Sequence, residues 1–173
     1  MKNAIILFVI LTTSLTLQAK QLNRDTDYKS DPILHRFDGT WEYTGNNITF
    51  RVVLKTEKVY NTIYNNYIDF VSGYHLYIKD QKNMQNSVGK KKTLTYGTYL
   101  NRDVSKNIIR LIFTDLGRPR SADAIIELLP NGKLQWTLKN RESVRISVKG
   151  APEQEKEDRS FHVPADLILT KVK

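Results

Sequence analysis

Three histidines, one lysine run and a scatter of carboxylates are the residues on which chemistry could be built. His35, His75 and His162 stand far apart in the chain. None belongs to an H-E-x-x-H motif or a close pair, so a zinc site would need long-range assembly, and no metal site is assigned. His75 lies between Tyr74 and Leu76, on the opposite strand face from both, and reads as a surface or rim histidine. Asp123 and Glu127 share a strand face with Ile125 and Leu129. At about 3.3 Å per residue their backbones stand roughly 13 Å apart, which suits an exposed position better than a glycosidase pair. Glu153, Glu155, Glu157 and Asp158 read as a solvated loop. The chain has no cysteine, which excludes disulfides, thiolate metal sites, a cysteine nucleophile and a cysteine-linked lipid anchor. It also has no G-x-S-x-G elbow, no Walker loop and no dinucleotide fingerprint. No catalytic residue and no cofactor is therefore assigned, and a hydrolase is the least favoured reading.

Binding chemistry has more material. Lys+Arg number 27 against 18 Asp+Glu, a net charge of +9 spread along the sequence. Lys90, Lys91 and Lys92 form the one tight run and a candidate electrostatic patch for an acidic glycan or lipid surface. The plainer account is a solvated turn. Nucleic acid is not expected as a partner of an exported chain. Tyr60, Tyr64, Tyr67, Tyr74, Tyr77, Tyr96 and Tyr99 cluster in the middle of the chain. Tyrosine suits a ligand cavity or a carbohydrate-facing surface, but it is also simply a good strand residue.

The elements that must position these residues follow from patterning. Lys2 precedes the apolar run Ala4–Leu11 and a mixed stretch ending at Ala19, the layout of a secretory leader cut near Ala19. No apolar run is long enough to cross a bilayer as a helix. Lys20–Pro32 is polar and reads as a flexible lead-in, which leaves residues 33–173 as one domain.

From there the rhythm is two. Ile48, Phe50, Val52 and Leu54 share one face of a strand after the Gly45-Asn46-Asn47 turn. Tyr67–Lys79 reads as two strand segments bent at Ser72-Gly73. Leu94–Leu100, Asn107–Thr114, Ala122–Leu129, Lys133–Leu138, Ser143–Val148 and Leu167–Val172 follow as strands. Asn131-Gly132 supplies a strong hairpin signal between two of them. The one candidate helix is Val59–Tyr67, where Tyr60, Tyr64 and Tyr67 fall at helical spacing.

Eight to ten short strands predict an antiparallel barrel, with a β-sandwich as the alternative. Gly39-Thr40-Trp41 at the head of the first strand resembles the opening of lipocalin-like barrels. That resemblance implies a tryptophan plugging the closed end under a basic residue from a late strand, with Arg145 as partner of Trp41 and Arg141 as second option. The wider chain resembles small secreted Bacteroidetes-type proteins grouped as a domain of unknown function. The likeness rests on Phe37-x-Gly39-Thr40-Trp41, on Tyr67-x-Asp69-x-Val71-x-Gly73-Tyr74 and on Pro164–Leu169. It implies an exported β-rich protein and no activity. The expected function is a secreted or periplasmic, non-enzymatic protein that binds a small, mainly apolar ligand. The alternative is an interaction module for a surface, a partner protein or an acidic glycan.

Overall fold

The computed structural model describes residues 28, 30–63, 65–96, 107–117, 121–141 and 159–172. Among them are nine strands and one turn of 3-10 helix, Leu34–Phe37. The strands are β1 (Gly39–Gly45), β2 (Ile48–Asn61), β3 (Asn66–Lys79), β4 (Lys82–Asn86) and β5 (Leu94–Tyr96). They continue as β6 (Ile108–Thr114), β7 (Ser121–Leu128), β8 (Leu134–Asn140) and β9 (Asp166–Val172).

They run in the order β2-β1-β9-β8-β7-β6-β5-β3-β4, and β2 also pairs with β3. That last pairing closes eight strands into an antiparallel barrel and leaves β4 as an extra strand on β3. A closed ring leaves no unpaired edge among its members, which answers the aggregation hazard of a long exposed strand. The expected barrel is the fold, and the sandwich alternative falls.

The two-residue rhythm decides which side chains fill the ring. Phe50, Val52 and Leu54 of β2, Ile109, Leu111 and Phe113 of β6, and Leu134, Trp136 and Leu138 of β8 are all buried. Arg51, Arg110 and Thr137 alternate with them on the less buried face. Small residues make room where the ring is tight, as Ala122 and Ala124 do on β7. The β7–β8 hairpin turns at Asn131-Gly132, with Gly132 at φ +75°.

Three expectations are corrected. Val59–Tyr67 is not a helix: β2 continues to Asn61, a turn follows, and β3 begins at Asn66. The tyrosine spacing serves a hairpin, in which Tyr60 and Tyr67 meet edge to face at 5.3 Å. Tyr67–Lys79 is not broken at Ser72-Gly73 but is one strand. The glycine is there for a close approach, since a Cβ on Gly73 would lie inside the contact distance of the Val53 carbonyl oxygen and touch Leu54. Finally, β4 was not expected, because Lys-Asn-Met-Gln-Asn carries no apolar alternation. Residues 97–100 and 143–148, Arg145 among them, lie outside the described residues.

A Gly73→Ala variant therefore meets backbone, which cannot swing aside as a side chain can. We expect a loss of about 2 kcal/mol, of the order seen for overpacked cores. Urea denaturation followed by circular dichroism measures it, and an unchanged midpoint would refute the close approach.

The contacts divide the chain into two compact units, Met1–Asp31 with Lys58–Asp69, and Pro32–Glu57 with Phe70–Lys173. The first is organised around Asp69, a buried carboxylate that accepts hydrogen bonds from Tyr28 Oη (2.6 Å), Ser30 Oγ (3.0 Å) and the Asp31 N–H (2.6 Å). Three donors are enough to offset the cost of burying a charge. Beside it the Lys58 ammonium lies 4.4 Å from the Tyr28 ring and 4.5 Å from the Tyr67 ring, a cation held between two aromatic faces. The described end of the expected lead-in is thus bonded to Asp69.

Candidate functional site

The interior of the second unit is the place where a lipocalin-like barrel would hold a ligand, so its side chains decide the question. One end is stopped by Leu34 and Phe37 of the 3-10 turn and by Trp41, all buried. The indole N–H of Trp41 donates to the Phe37 carbonyl oxygen at 2.8 Å, which ties strand to turn. Gly39 has a φ of +128°, a conformation that favours glycine, and a Cβ there would come within 2.7 Å of Lys171 Cε. The bare backbone lets the Lys171 stem cross β1 and place its ammonium 5.1 Å from the centre of the Trp41 ring. The spacing Gly-x-Trp is thereby explained: the glycine admits the lysine that caps the tryptophan. Lys171 comes from β9, the last strand, and nothing in the sequence pattern singled it out. Arg145 lies outside the described residues. Arg141 stands 3.5 Å from Asp123, so that carboxylate has a basic neighbour on the outer face.

Further along, aromatic rings meet across the lumen. Phe50 of β2 and Trp136 of β8 lie 5.1 Å apart, Trp136 meets Phe113 of β6 edge-on at 5.4 Å, and Phe113 meets His75 of β3 at 5.0 Å. None of these strands is a ring neighbour of the one its aromatic touches, so the contacts cross the interior. Phe50, Val52, Val71, Leu94, Leu111, Phe113, Ala124, Ile126, Leu134, Trp136 and Leu169 are all 0 % exposed. A hollow wide enough for one water would leave accessible surface on the residues lining it. Beside these residues there is none, and the barrel core is packed like an ordinary protein interior. The expected apolar ligand has no room at these levels.

His75 is the largest departure from the sequence reading. It is not a rim residue: it is 0 % exposed and faces inward with Val71, Gly73 and Tyr77. Four polar side chains from distant segments receive it. Its Nδ1 lies 2.8 Å from Thr93 Oγ1 and its Nε2 lies 2.9 Å from Gln85 Oε1. Gln85 Nε2 donates to Asp115 Oδ1 at 2.7 Å, and the Leu116 N–H donates to Gln85 Oε1 at 3.0 Å. Ser87 Oγ accepts the His75 N–H at 2.8 Å and lies 2.9 Å from Thr93 Oγ1.

The network fixes part of its own proton arrangement. Asp115 only accepts and the Leu116 N–H only donates, so the Gln85 amide has one orientation. His75 must then donate from Nε2. Burial holds the His75 pKa below its usual value, against smaller upward pulls from Gln85 and Asp115, and in the neutral imidazole that this favours Nδ1 accepts from the Thr93 hydroxyl. Asp115, also 0 % exposed, is pushed up by burial. The N–H of His162, the Gln85 amide, the Gly117 N–H and the His162 imidazole outweigh this and leave it below the usual range. The chain of contacts resembles a proton relay, yet His75, Ser87 and Thr93 are sealed from solvent, so no substrate reaches them. Its role is to satisfy buried polar groups and fix one arrangement of β3, β4, β5 and the segment after β6.

The lysine run sits after β4. Lys90 and Lys91 are exposed. Lys92 pairs with Glu57, whose carboxyl is lowered chiefly by that contact, and Glu57 also accepts from Ser72 Oγ at 3.1 Å. One lysine of the three is therefore engaged in holding the loop to β2. Of the tyrosine cluster, Tyr60 and Tyr67 lie in the first unit and Tyr74 and Tyr77 in the second. Among the described residues no group of three histidines, cysteines or carboxylates is arranged to hold a metal ion, and no helix is long and apolar enough to cross a membrane.

No curated protein and no solved structure is detectably similar to the chain. Over residues 1–172 it matches the Family of unknown function (DUF6705), and it belongs to that family.

Proposed function

We propose that this is an exported, non-enzymatic binding protein that meets its partner on the outside of the barrel rather than in the lumen. The observation that carries the reading is the ring of fully buried side chains, from Phe50 across Trp136 to Phe113, that fills the interior. A barrel of eight strands can either pack its interior or hold one small ligand. With the interior packed, the eight-stranded wall serves as a rigid frame for the loops and turns at its ends. Export is supported by the Lys2 and Ala4–Leu11 pattern, with cleavage near Ala19.

The test is a titration of the exported protein with 1-anilinonaphthalene-8-sulfonate and with palmitate, read by tryptophan fluorescence. We expect no saturable binding of either. One-to-one binding that quenches the buried tryptophans would overturn the reading in favour of a luminal apolar ligand. Intact mass of the exported chain should begin near Lys20, and a chain retaining Met1 would contradict export by this leader.

A further inference from the structure

The β1–β2 and β3–β4 turns both reverse in two residues, Asn46-Asn47 and Asp80-Gln81. All four residues have left-handed backbone, with φ of +50°, +58°, +49° and +62°. Such turns strongly prefer Asn-Gly or Asp-Gly, because the second residue pays a steric cost unless it is glycine. Here neither turn uses glycine, and Gln81 is a residue type that seldom adopts this conformation. The two turns are bonded to each other, the Asp80 N–H donating to the Asn47 carbonyl oxygen at 2.9 Å. Between them runs an open groove of about 470 Å³, a size in the range of small-molecule sites. Three of these four left-handed residues, Asn47, Asp80 and Gln81, are among those that line it.

We infer that this groove binds a neutral polyhydroxylated ligand, a short uncharged saccharide. This deepens the outer-surface reading above and rests on it. The lining offers two amides, the Thr44 and Thr49 hydroxyls and one carboxylate, around apolar surface from Ile48 and Ile78. Amides and hydroxyls both donate and accept, as sugar hydroxyls do, and a carboxylate accepts two of them at once. Aliphatic side chains suit the C–H face of a pyranose ring. Asp80 is the one charged residue in the lining, so the lining supplies no cation to pair with an anionic sugar. Side chains retained where glycine would be easier are accounted for if those side chains do the binding.

The experiment uses the exported protein, ¹⁵N-labelled, titrated separately with maltotriose, cellotriose and tri-galacturonic acid. We expect at least one neutral trisaccharide to give saturable amide shifts centred on Asn47 and Gln81, with Kd on the order of 1 mM. The acidic trisaccharide should give none. Gln81→Gly relieves the backbone and should raise the melting temperature while weakening the neutral ligand about fivefold. No shift with either neutral sugar, equal shifts with the acidic one, or undiminished affinity in Gln81→Gly would each overturn the proposal. Failure here with no palmitate binding leaves the outer-surface reading standing, whereas palmitate binding removes that reading itself.

Discussion

Trp136→Ala is expected to destabilise the protein by about 4 kcal/mol, as large-to-small changes at buried aromatics do. The indole is fully buried, touches Phe50 and Phe113, and donates its N–H to the Pro164 carbonyl oxygen at 3.0 Å. Truncation removes the transfer energy of the ring and orphans that carbonyl. It also leaves a void that the ring of strands resists collapsing into, because Phe50 and Phe113 sit on strands held by ladder hydrogen bonds. Apolar cavities of this kind stay dry and accept small apolar guests. The variant should therefore acquire what the native protein is expected to lack, a saturable response to benzene or a similar probe. Urea denaturation gives the stability loss and ligand-induced stabilisation gives the binding. A loss below about 1 kcal/mol would show that the lumen is not packed around this residue.

The same packing explains how much of the fold was legible in sequence. Where one face is wholly apolar and the other mainly polar, as in Ile48–Leu54 or Leu134–Leu138, alternation identifies strand, face and core together. Asn131-Gly132 marks its hairpin because the three-residue loop Pro130–Gly132 ends in left-handed backbone, which Gly132 adopts at φ +75°. β3 defeats the same logic. Its outward side carries Phe70, Tyr74, Leu76 and Ile78, while its inward side carries Val71, Gly73, His75 and Tyr77. Hydropathy alone turns the strand the wrong way and puts His75 at the rim. What reverses it is the partner set Gln85, Ser87, Thr93 and Asp115, none of them adjacent in sequence and each unremarkable in its own segment. β4 is illegible for a related reason: Gln85 is its one buried residue, and its burial depends on that network.

The candidate surface groove was legible only as turn residues. Gly45-Asn46-Asn47 signals a reversal, but Asp80-Gln81 carries no such signal, since glutamine is not a turn residue. The lysine that caps Trp41 was equally hidden. A basic residue over the tryptophan is expected from resemblance, yet Lys171 reaches the ring across Gly39 from a strand paired with β1, and that contact belongs to the β1–β9 pairing rather than to local sequence.

Asp115→Asn should cost about 3 kcal/mol although it changes almost no volume. Every group around this carboxylate donates: Gln85 Nε2 and the Gly117 N–H to Oδ1, the His162 N–H to Oδ2. An amide places its NH₂ against one of these donors whichever way it is turned, and a buried donor is left without an acceptor. The pH dependence separates this from a packing defect. His75 has a lowered folded pKa, so its contribution is complete above its unfolded value of about 6.5 and is lost as pH falls through the folded one. Asp115 is lowered too, so its contribution is complete above about 3.9 and is lost only below that. The wild-type protein should therefore lose stability in two stages on acidification. Asp115→Asn should shrink the lower stage, leaving the share that the lowered Glu57 carboxyl contributes, and deepen the upper one, because the carboxylate that helps His75 hold a proton is gone. His75→Gln should abolish the upper stage alone. Urea midpoints measured from pH 8 to pH 3 read both, and an Asp115→Asn variant as stable as wild type at pH 7 would show that the three donors do not converge on this residue.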